Sequence, residues 1–280
     1  IYCSISGFGQ EGPYHKRPSF DPVAQAMSGI MLATGEPDRP PVRILPPMLD
    51  YSAGIHAAYG IVIALLNREQ TGKGERIDIS LMDIGIVQMG AFVTHYTMTG
   101  ELPERMGSAH KAWAPYQAFE ASDGRVLIAV ASDEMWLNLC KVLKLEDLGN
   151  DSRYATPQSR RKHRKELTEL LTKVTRQYRA RELESLLSEA GVPSGQLRNI
   201  AEVVEDPQVK ARDLIDDIEY PGLGKIKMVK NPIFFSGHAL RTQLQAPQLG
   251  EHTAAVLAEL GYSEAEIQIL EDTGIVRRSA

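Results

Sequence analysis

The chain has 280 residues, of which 43% are hydrophobic and 24% charged, with a formal net charge of -5. That length supports a substantial buried core in one or two domains. The acidic balance argues against nucleic acid or an anionic membrane as partner. Cys3 and Cys140 lie far apart and outside any CxxC, so neither a disulfide framework nor a zinc site is suggested, and a reducing, cytoplasmic setting fits. The chain opens on Ile1, so a targeting signal ahead of it would be invisible.

Ile1 to Ser6 alternates apolar with small polar residues, which predicts a buried strand. Gly7-Phe-Gly-Gln-Glu-Gly12 then spells GxGxxG, the dinucleotide fingerprint. The fingerprint must open a helix whose N-terminus holds a pyrophosphate, and Pro13-Tyr-His-Lys-Arg-Pro18 is a loop, so that reading is rejected. Asp21 is predicted to cap a helix, with Pro22 at its first position and Val23 to Met31 supplying the apolar face. After the turn-rich Gly35 to Pro41, an extended Pro47-Met48-Leu49 leads into Asp50. Asp is a favoured N-cap, and Ile55, Ala58, Tyr59, Val62, Leu65 and Leu66 have the spacing of a buried helical face.

Thr71-Gly-Lys-Gly74 lacks the phosphate-loop frame and precedes a strand, Arg76 to Ser80, so it reads as a tight turn. Leu81 to Met98 reads as a largely buried helix. The longest apolar segment, Ile84 to Met98, carries Gln88 and His95 and is too short and polar to span a bilayer. From Thr99 to Ala114 the periodicity fades between Gly100, Pro103 and Gly107, which places a domain boundary there. Ser122-Asp-Gly-Arg125 between two apolar runs predicts a hairpin, Tyr116 to Ala121 with Val126 to Ala131.

Helices are expected at Glu134 to Val142, Gln158 to Tyr178, Ala180 to Ala190 and Ile200 to Asp213. The basic run Arg160 to Lys165 reads as the solvated start of the second of these. Asp217 to Met228 suggests two strands around Pro221-Gly-Leu-Gly224. Glu251 to Leu260 is a helix, and Ser263-Glu-Ala-Glu266 is a capping box for a last one. The histidines show no metal spacing such as HxxxH, so no metal site is expected, and no GxSxG marks a serine nucleophile.

Asp50 has two readings from its own neighbourhood. It either caps a helix and nothing more, or it is a carboxylate that the helix dipole favours as an anion and the Pro-Pro and Ala-Gly flanks hold rigidly. The blocks around it decide. Ser6-Gly-Phe-Gly-Gln-Glu-Gly-Pro13, Phe20-Asp-Pro-Val-Ala-Gln-Ala-Met-Ser-Gly29, Leu49-Asp-Tyr-Ser-Ala-Gly54, Arg68 to Glu75, Ile77 to Leu81, Ala114 to Phe119 and Leu249 to Leu257 stand in the order found in class III CoA-transferases. The chain resembles that family, the CaiB/BaiF type that includes formyl-CoA transferase and the 2-methylacyl-CoA racemases, with the family's N-terminal segment missing.

The resemblance implies an α/β fold, with a large Rossmann-like domain interrupted by a smaller α+β domain, in an interlaced homodimer. The expected divisions are 1–98 for the first part of the large domain and 99–115 for a linker and active-site loop. The small domain would cover 116–218, and 219–280 would return to the large one. The implied activity moves CoA from an acyl-CoA donor to a carboxylic acid. Asp50 is the expected nucleophile, forming an aspartyl anhydride and then an aspartyl-CoA thioester. Ser19, Phe20 and Asp21 are implied as CoA or substrate contacts, as are Gly107 and His110 in the loop Met106-Gly-Ser-Ala-His110. No permanently bound cofactor is expected; coenzyme A and acyl-CoA are substrates.

Two alternatives stand beside this reading. One is a 2-methylacyl-CoA racemase. The resemblance places a His in those enzymes where this chain has Phe20, and a Glu where it has Asp133, and both departures count against it. The other is a truncated, non-catalytic CoA-binding subunit.

Overall fold

The computed structural model describes residues 1–220, 222–237 and 246–278. The chain falls into two compact units, Ile1–Leu197 and Arg198–Ala280, and each mixes helices with small sheets. The fold is mixed α/β.

The first unit opens with β1 (Tyr2–Ser6), which pairs in parallel with β2 (Arg76–Ser80), Tyr2 opposite Arg76 and Ser6 opposite Ser80. Parallel pairing requires a long crossover. It is supplied by α1 (Asp21–Met27), α2 (Ile30–Ala33) and α3 (Met48–Thr71). The left-handed Gly72 ends α3 and turns the chain into β2, as the Thr71–Gly74 reading expects. Beyond β2 come α4 (Leu81–Gln88), capped by Ser80, and α5 (Gly90–Thr99). The shared core is Ala24, Ile30, Leu49, Ala53, Leu81 and Ile84. Gly85 is needed where α4 crosses α1, because a Cβ there would lie 2.6 Å from that of Ser28.

Four expectations for this region change. β1 is a strand but not a buried one, since a two-stranded sheet leaves Tyr2 and Ile5 exposed. The helix expected through Met31 breaks at Gly29, whose φ of 88° cannot continue an α-helix. The helix expected from Leu81 to Met98 breaks at Met89, and α5 has no buried residue.

The largest change concerns α3. Its buried stripe is Leu49, Ala53, Ala57 and Ala64, with Gly60 facing the Ile77 side chain of β2. These residues recur every three or four positions; Leu49 and Ala53 join the core described above, and the missing side chain of Gly60 lets the helix lie close to β2 there. Ile55, Tyr59, Val62 and Leu66 occupy the other side and are 68%, 66%, 55% and 62% exposed. The spacing is helical, but the partners on α1, α4 and β2, not the apolar run itself, set which face goes inward. By length and composition α3, rather than Ile84 to Met98, is the one helix among the described residues long and apolar enough to cross a membrane.

A second core lies further along the same unit. β3 (Tyr116–Glu120) and β4 (Arg125–Ala129) form the expected hairpin, and β5 (Ser194–Gln196) adds a third antiparallel strand. α6 (Asp133–Val142), α7 (Glu146–Gly149), α8 (Pro157–Lys162), α9 (Arg164–Thr175) and α10 (Ala180–Glu189) accompany the sheet. Phe119, Val126, Ile128, Trp136, Leu167 and Leu183 are among the side chains that fill its core. The single helix expected from Gln158 to Tyr178 is two, meeting at His163.

The second unit contains α11 (Ile200–Val204), α12 (Pro207–Ala211), and the antiparallel pair β6 (Ile215–Tyr220) and β7 (Gly224–Val229). The paired strands agree with the sequence reading, whose turn includes Pro221, a residue outside the described ones. α13 (Thr253–Glu259) and α14 (Glu264–Asp272) follow, the latter with the expected Ser263–Glu266 capping box.

Candidate active site

Asp50 sits in the first turn of α3, two residues inside the helix, and its side chain is exposed. It is not the N-cap that the sequence suggested, because Pro47 holds that position. The orphan donors of a helix start still need acceptors, and a residue distant in sequence supplies one. Asp21, 3% exposed, accepts the Leu49 backbone N–H on Oδ2 at 2.7 Å. Its Oδ1 accepts from the Gln25 side-chain amide one turn along α1.

Gln25 is fully buried and completes the arrangement. Its Oε1 accepts the Ile44 N–H at 2.8 Å and its Nε2 reaches the Ile44 carbonyl at 3.3 Å. The two side chains therefore hold both the chain approaching α3 and the turn that carries Asp50. Gln88 of α4 adds a 2.9 Å bond to Ser52 Oγ from the other flank. The result is a fixed backbone under an open carboxylate.

Asp21 thus does not cap its own helix, since Phe20 is the N-cap of α1 and makes no side-chain bond there. Both Asp21 oxygens are engaged inside the protein. Phe20, the next residue back, is 79% exposed and free to meet a ligand. Ser19 is half-buried against Gly7, where an added Cβ would lie 2.2 Å from its own, so this position stays closed to anything larger than glycine.

Gly107 and His110 belong to a separate loop that docks at three places. The Gly107 N–H donates to Gly35 O at 2.9 Å, and Arg105 donates to the carbonyls of Glu36 and Pro37. Gly107 has φ 59°, a left-handed conformation that favours glycine, and an added Cβ would also push aside the exposed Glu36 carboxylate. Further on, His110 N–H donates to Tyr116 O, and Ser108 Oγ accepts from Ala118 N–H, covering the free edge of β3. The exposed His110 ring lies 5.0 Å from that of Tyr116, and its Nδ1 accepts from Ala112 N–H. Beneath the loop an open cavity of about 310 Å³ is lined by Glu36, Ser108, Gln117, Arg125 and Arg176 among others. No hydrogen bond among the described residues joins this loop to Asp50.

The loop's far end is held by residues whose role sequence reasoning missed. Arg160, expected in solvent, is 1% exposed and donates to Ala114 O, Tyr154 O and Asp133 Oδ1. Asp133, the position weighed for racemase chemistry, is its ion-pair partner. Arg164 donates from Nη2 to the carbonyls of His110 and Lys111. The spacing of Arg160 and Arg164 carries no helical signal, because α8 ends at Lys162 and His163 interrupts the helix between them. Among the described residues no group of three His, Cys, Asp or Glu could hold a metal ion.

Residues 1–253 match CoA-transferase family III. The chain belongs to that family. The succinate–glutarate CoA-transferase of Agrobacterium fabrum is 37% identical over 260 residues, covering 93% of this chain and 65% of the relative. The succinyl-CoA:glutarate CoA-transferase of Homo sapiens is 33% identical over 277 residues, covering 99% and 63%. The chain therefore spans less than two thirds of these two curated relatives. A solved structure of a CaiB/BaiF family protein from Brucella suis is 40% identical with a TM-score of 0.80, covering 93% of this chain and 68% of that one.

Proposed function

We propose that the protein transfers CoA from an acyl-CoA donor to a carboxylic acid, with Asp50 as the nucleophile. The observation that carries this is an exposed carboxylate on a turn fixed from beneath by a buried Asp21–Gln25 pair, in a chain of CoA-transferase family III. In this reading Asp50 attacks the donor thioester, giving an acyl–Asp50 anhydride and CoA thiolate. The thiolate attacks the Asp50 carbonyl, releases the donor acid and leaves an aspartyl-CoA thioester. The acceptor carboxylate attacks that thioester, forming a second anhydride and again freeing CoA thiolate. CoA finally attacks the acceptor's carbonyl, and Asp50 leaves as carboxylate.

The loop at Gly107 would keep water from the anhydrides, while its Gly107, Ala109 and His110 N–H groups already donate to Gly35, Met106 and Tyr116, so stabilising the tetrahedral oxyanions falls to other donors. Phe20 and Ser19 are the proposed contacts to CoA, and His110 the proposed contact to substrate. Asp21 acts one step back, through the Asp50 turn. The relatives' names make succinyl-CoA with glutarate the first donor and acceptor to test.

The same reading includes a homodimer. The apolar side of α3 at Ile55, Tyr59, Val62 and Leu66 supports it, because an exposed apolar face of that extent marks a contact surface. The large-and-small division at 99–115, with its Rossmann-like and interlaced character, belongs to this proposal too. So does a cytoplasmic setting, supported by the free thiols of Cys3 and Cys140.

The decisive test is Asp50→Asn in the complete natural protein, incubated with succinyl-CoA and glutarate. Transfer should fall by several orders of magnitude with folding unchanged. Wild-type enzyme trapped with hydroxylamine should carry a hydroxamate at Asp50. Undiminished transfer by the Asn variant, or a tag on another acid, would overturn the proposal.

A further inference from the structure

The loop between Gly107 and Ala114 is gripped from one side by two arginines of the basic run. Arg160 comes from α8 and Arg164 from α9, and together they hold three loop carbonyls, those of His110, Lys111 and Ala114. A surface arginine normally spends its donors on water or on an exposed carboxylate of small energetic consequence. These two spend theirs on main-chain oxygens of one short segment. Neutral carbonyl acceptors bound by a guanidinium make strong, directional bonds, because one partner carries full charge.

The two arginines differ in what else they do. Arg160 is sealed into the core, its guanidinium 5.5 Å from the Trp136 ring and paired with Asp133, so its removal would damage the small core as well as the loop. Arg164 is only half-buried and, among the described residues, has no ion pair, while its solvent-shielded Nη1 finds no hydrogen-bond partner there. A cation kept without a carboxylate and with an idle donor is an unfavourable placement for stability alone. Burial, and after it the nearby Arg161, lower the Arg164 pKa, consistent with that cost.

We propose that Arg164 is a positioning residue that latches the Gly107–Ala114 loop by its His110 and Lys111 carbonyls and so keeps water away from the acylated nucleophile. The second half rests on the functional reading above. Apart from Arg164, the segment is held by single bonds, Gly107 N–H to Gly35 O and the Ser108 and His110 bonds to β3, with Arg105 just ahead of it, so loss of the two Arg164 bonds loosens the part that carries Ser108 and His110. The chemical consequence is specific. Water attacking an acyl–Asp50 anhydride regenerates the Asp50 carboxylate and the free acid, with CoA thiol already released, so hydrolysis appears as free thiol without transfer product.

The test uses Arg164→Met, which keeps the stem and removes every donor, and Arg164→Lys, which offers a point charge unable to bridge two carbonyls in the same way. Both are made in the complete natural protein. Hydrogen exchange at the Gly107, Ala109 and His110 amides reads the latch without needing any activity. Arg164→Met should speed it roughly tenfold or more at unchanged global stability, with Arg164→Lys between. The ratio of succinyl-CoA hydrolysis to transfer should rise about tenfold in Arg164→Met, with kcat for transfer falling and KM for succinyl-CoA little changed. Unchanged loop exchange in Arg164→Met overturns the latch. Faster exchange with an unchanged hydrolysis ratio overturns its role in excluding water. If Asp50→Asn retains transfer, the functional reading fails instead, and the exchange result still decides the latch.

Discussion

Replacing Asp21 tests whether the acid beside Phe20 acts on the ligand or on the backbone beneath Asp50. Its carboxylate is a double acceptor, taking the Leu49 N–H at 2.7 Å and the Gln25 amide, in a site 3% exposed. Asp21→Ala strands the Leu49 N–H at a position that is fully buried, and leaving a buried donor unpaired costs about 1–3 kcal/mol. The Gln25 amide keeps its bond to Ile44 O, so its loss adds little, and the total should be about 2–3 kcal/mol.

Asp21→Asn is the sharper probe. Asn offers one acceptor and one donor, so its NH2 must face either Leu49 N–H or Gln25 Nε2. Flipping the Gln25 amide only moves the conflict, since Gln25 Oε1 already accepts from Ile44 N–H. The Asn variant should therefore lose about 1–2 kcal/mol despite its near-identical shape. In urea, with a slope near 3 kcal/mol/M, the midpoint should fall by about 0.3–0.7 M for Asn and by up to about 1 M for Ala. Acyl-CoA affinity should hold within a few-fold while kcat drops. An Asn variant with an unmoved midpoint and acyl-CoA binding weakened more than tenfold would refute the positioning argument and make Asp21 a ligand contact.

Phe20 has no proton to give or take, so 2-methylacyl-CoA incubated in heavy water should show no α-deuterium by mass spectrometry. Wash-in at a rate comparable with transfer would favour the racemase alternative. Cys140 is buried and burial pushes its thiol up to about 12, so native protein at pH 8 should leave it unalkylated until denaturant is added. Asp123 accepts the Ala180 N–H and then pairs with Arg179, and both hold its carboxyl below the usual range. A depressed folded pKa adds stability above the unfolded value near 3.9 and loses it as pH falls through the folded one. The urea midpoints of wild type and Asp123→Asn should accordingly differ at pH about 6 and converge as pH falls below about 4.

The chain alone disclosed the family, through ordered motif blocks, and most elements that local chemistry determines. The β3–β4 hairpin follows from Ser122-Asp-Gly-Arg125, and the α14 cap from Ser263 and Glu266, because a turn or a cap is set by residues a few positions apart. Asp50 stood out through the ordered blocks of the resemblance, since its own neighbourhood suggested only a helix cap, a position that Pro47 holds. What tertiary structure decided was everything set by a partner distant in sequence. Asp21 caps a helix 28 residues away, and Arg160 serves a carbonyl 46 residues back, so neither role has a local signature. The inward face of α3 was also invisible to periodicity, since apolar residues run around the whole helix. Packing against distant elements, Ala53 in the core with Ala24 and Leu81 and Gly60 against Ile77 of β2, buried the stripe that also holds Ala57 and Ala64 and left Ile55, Tyr59, Val62 and Leu66 outside.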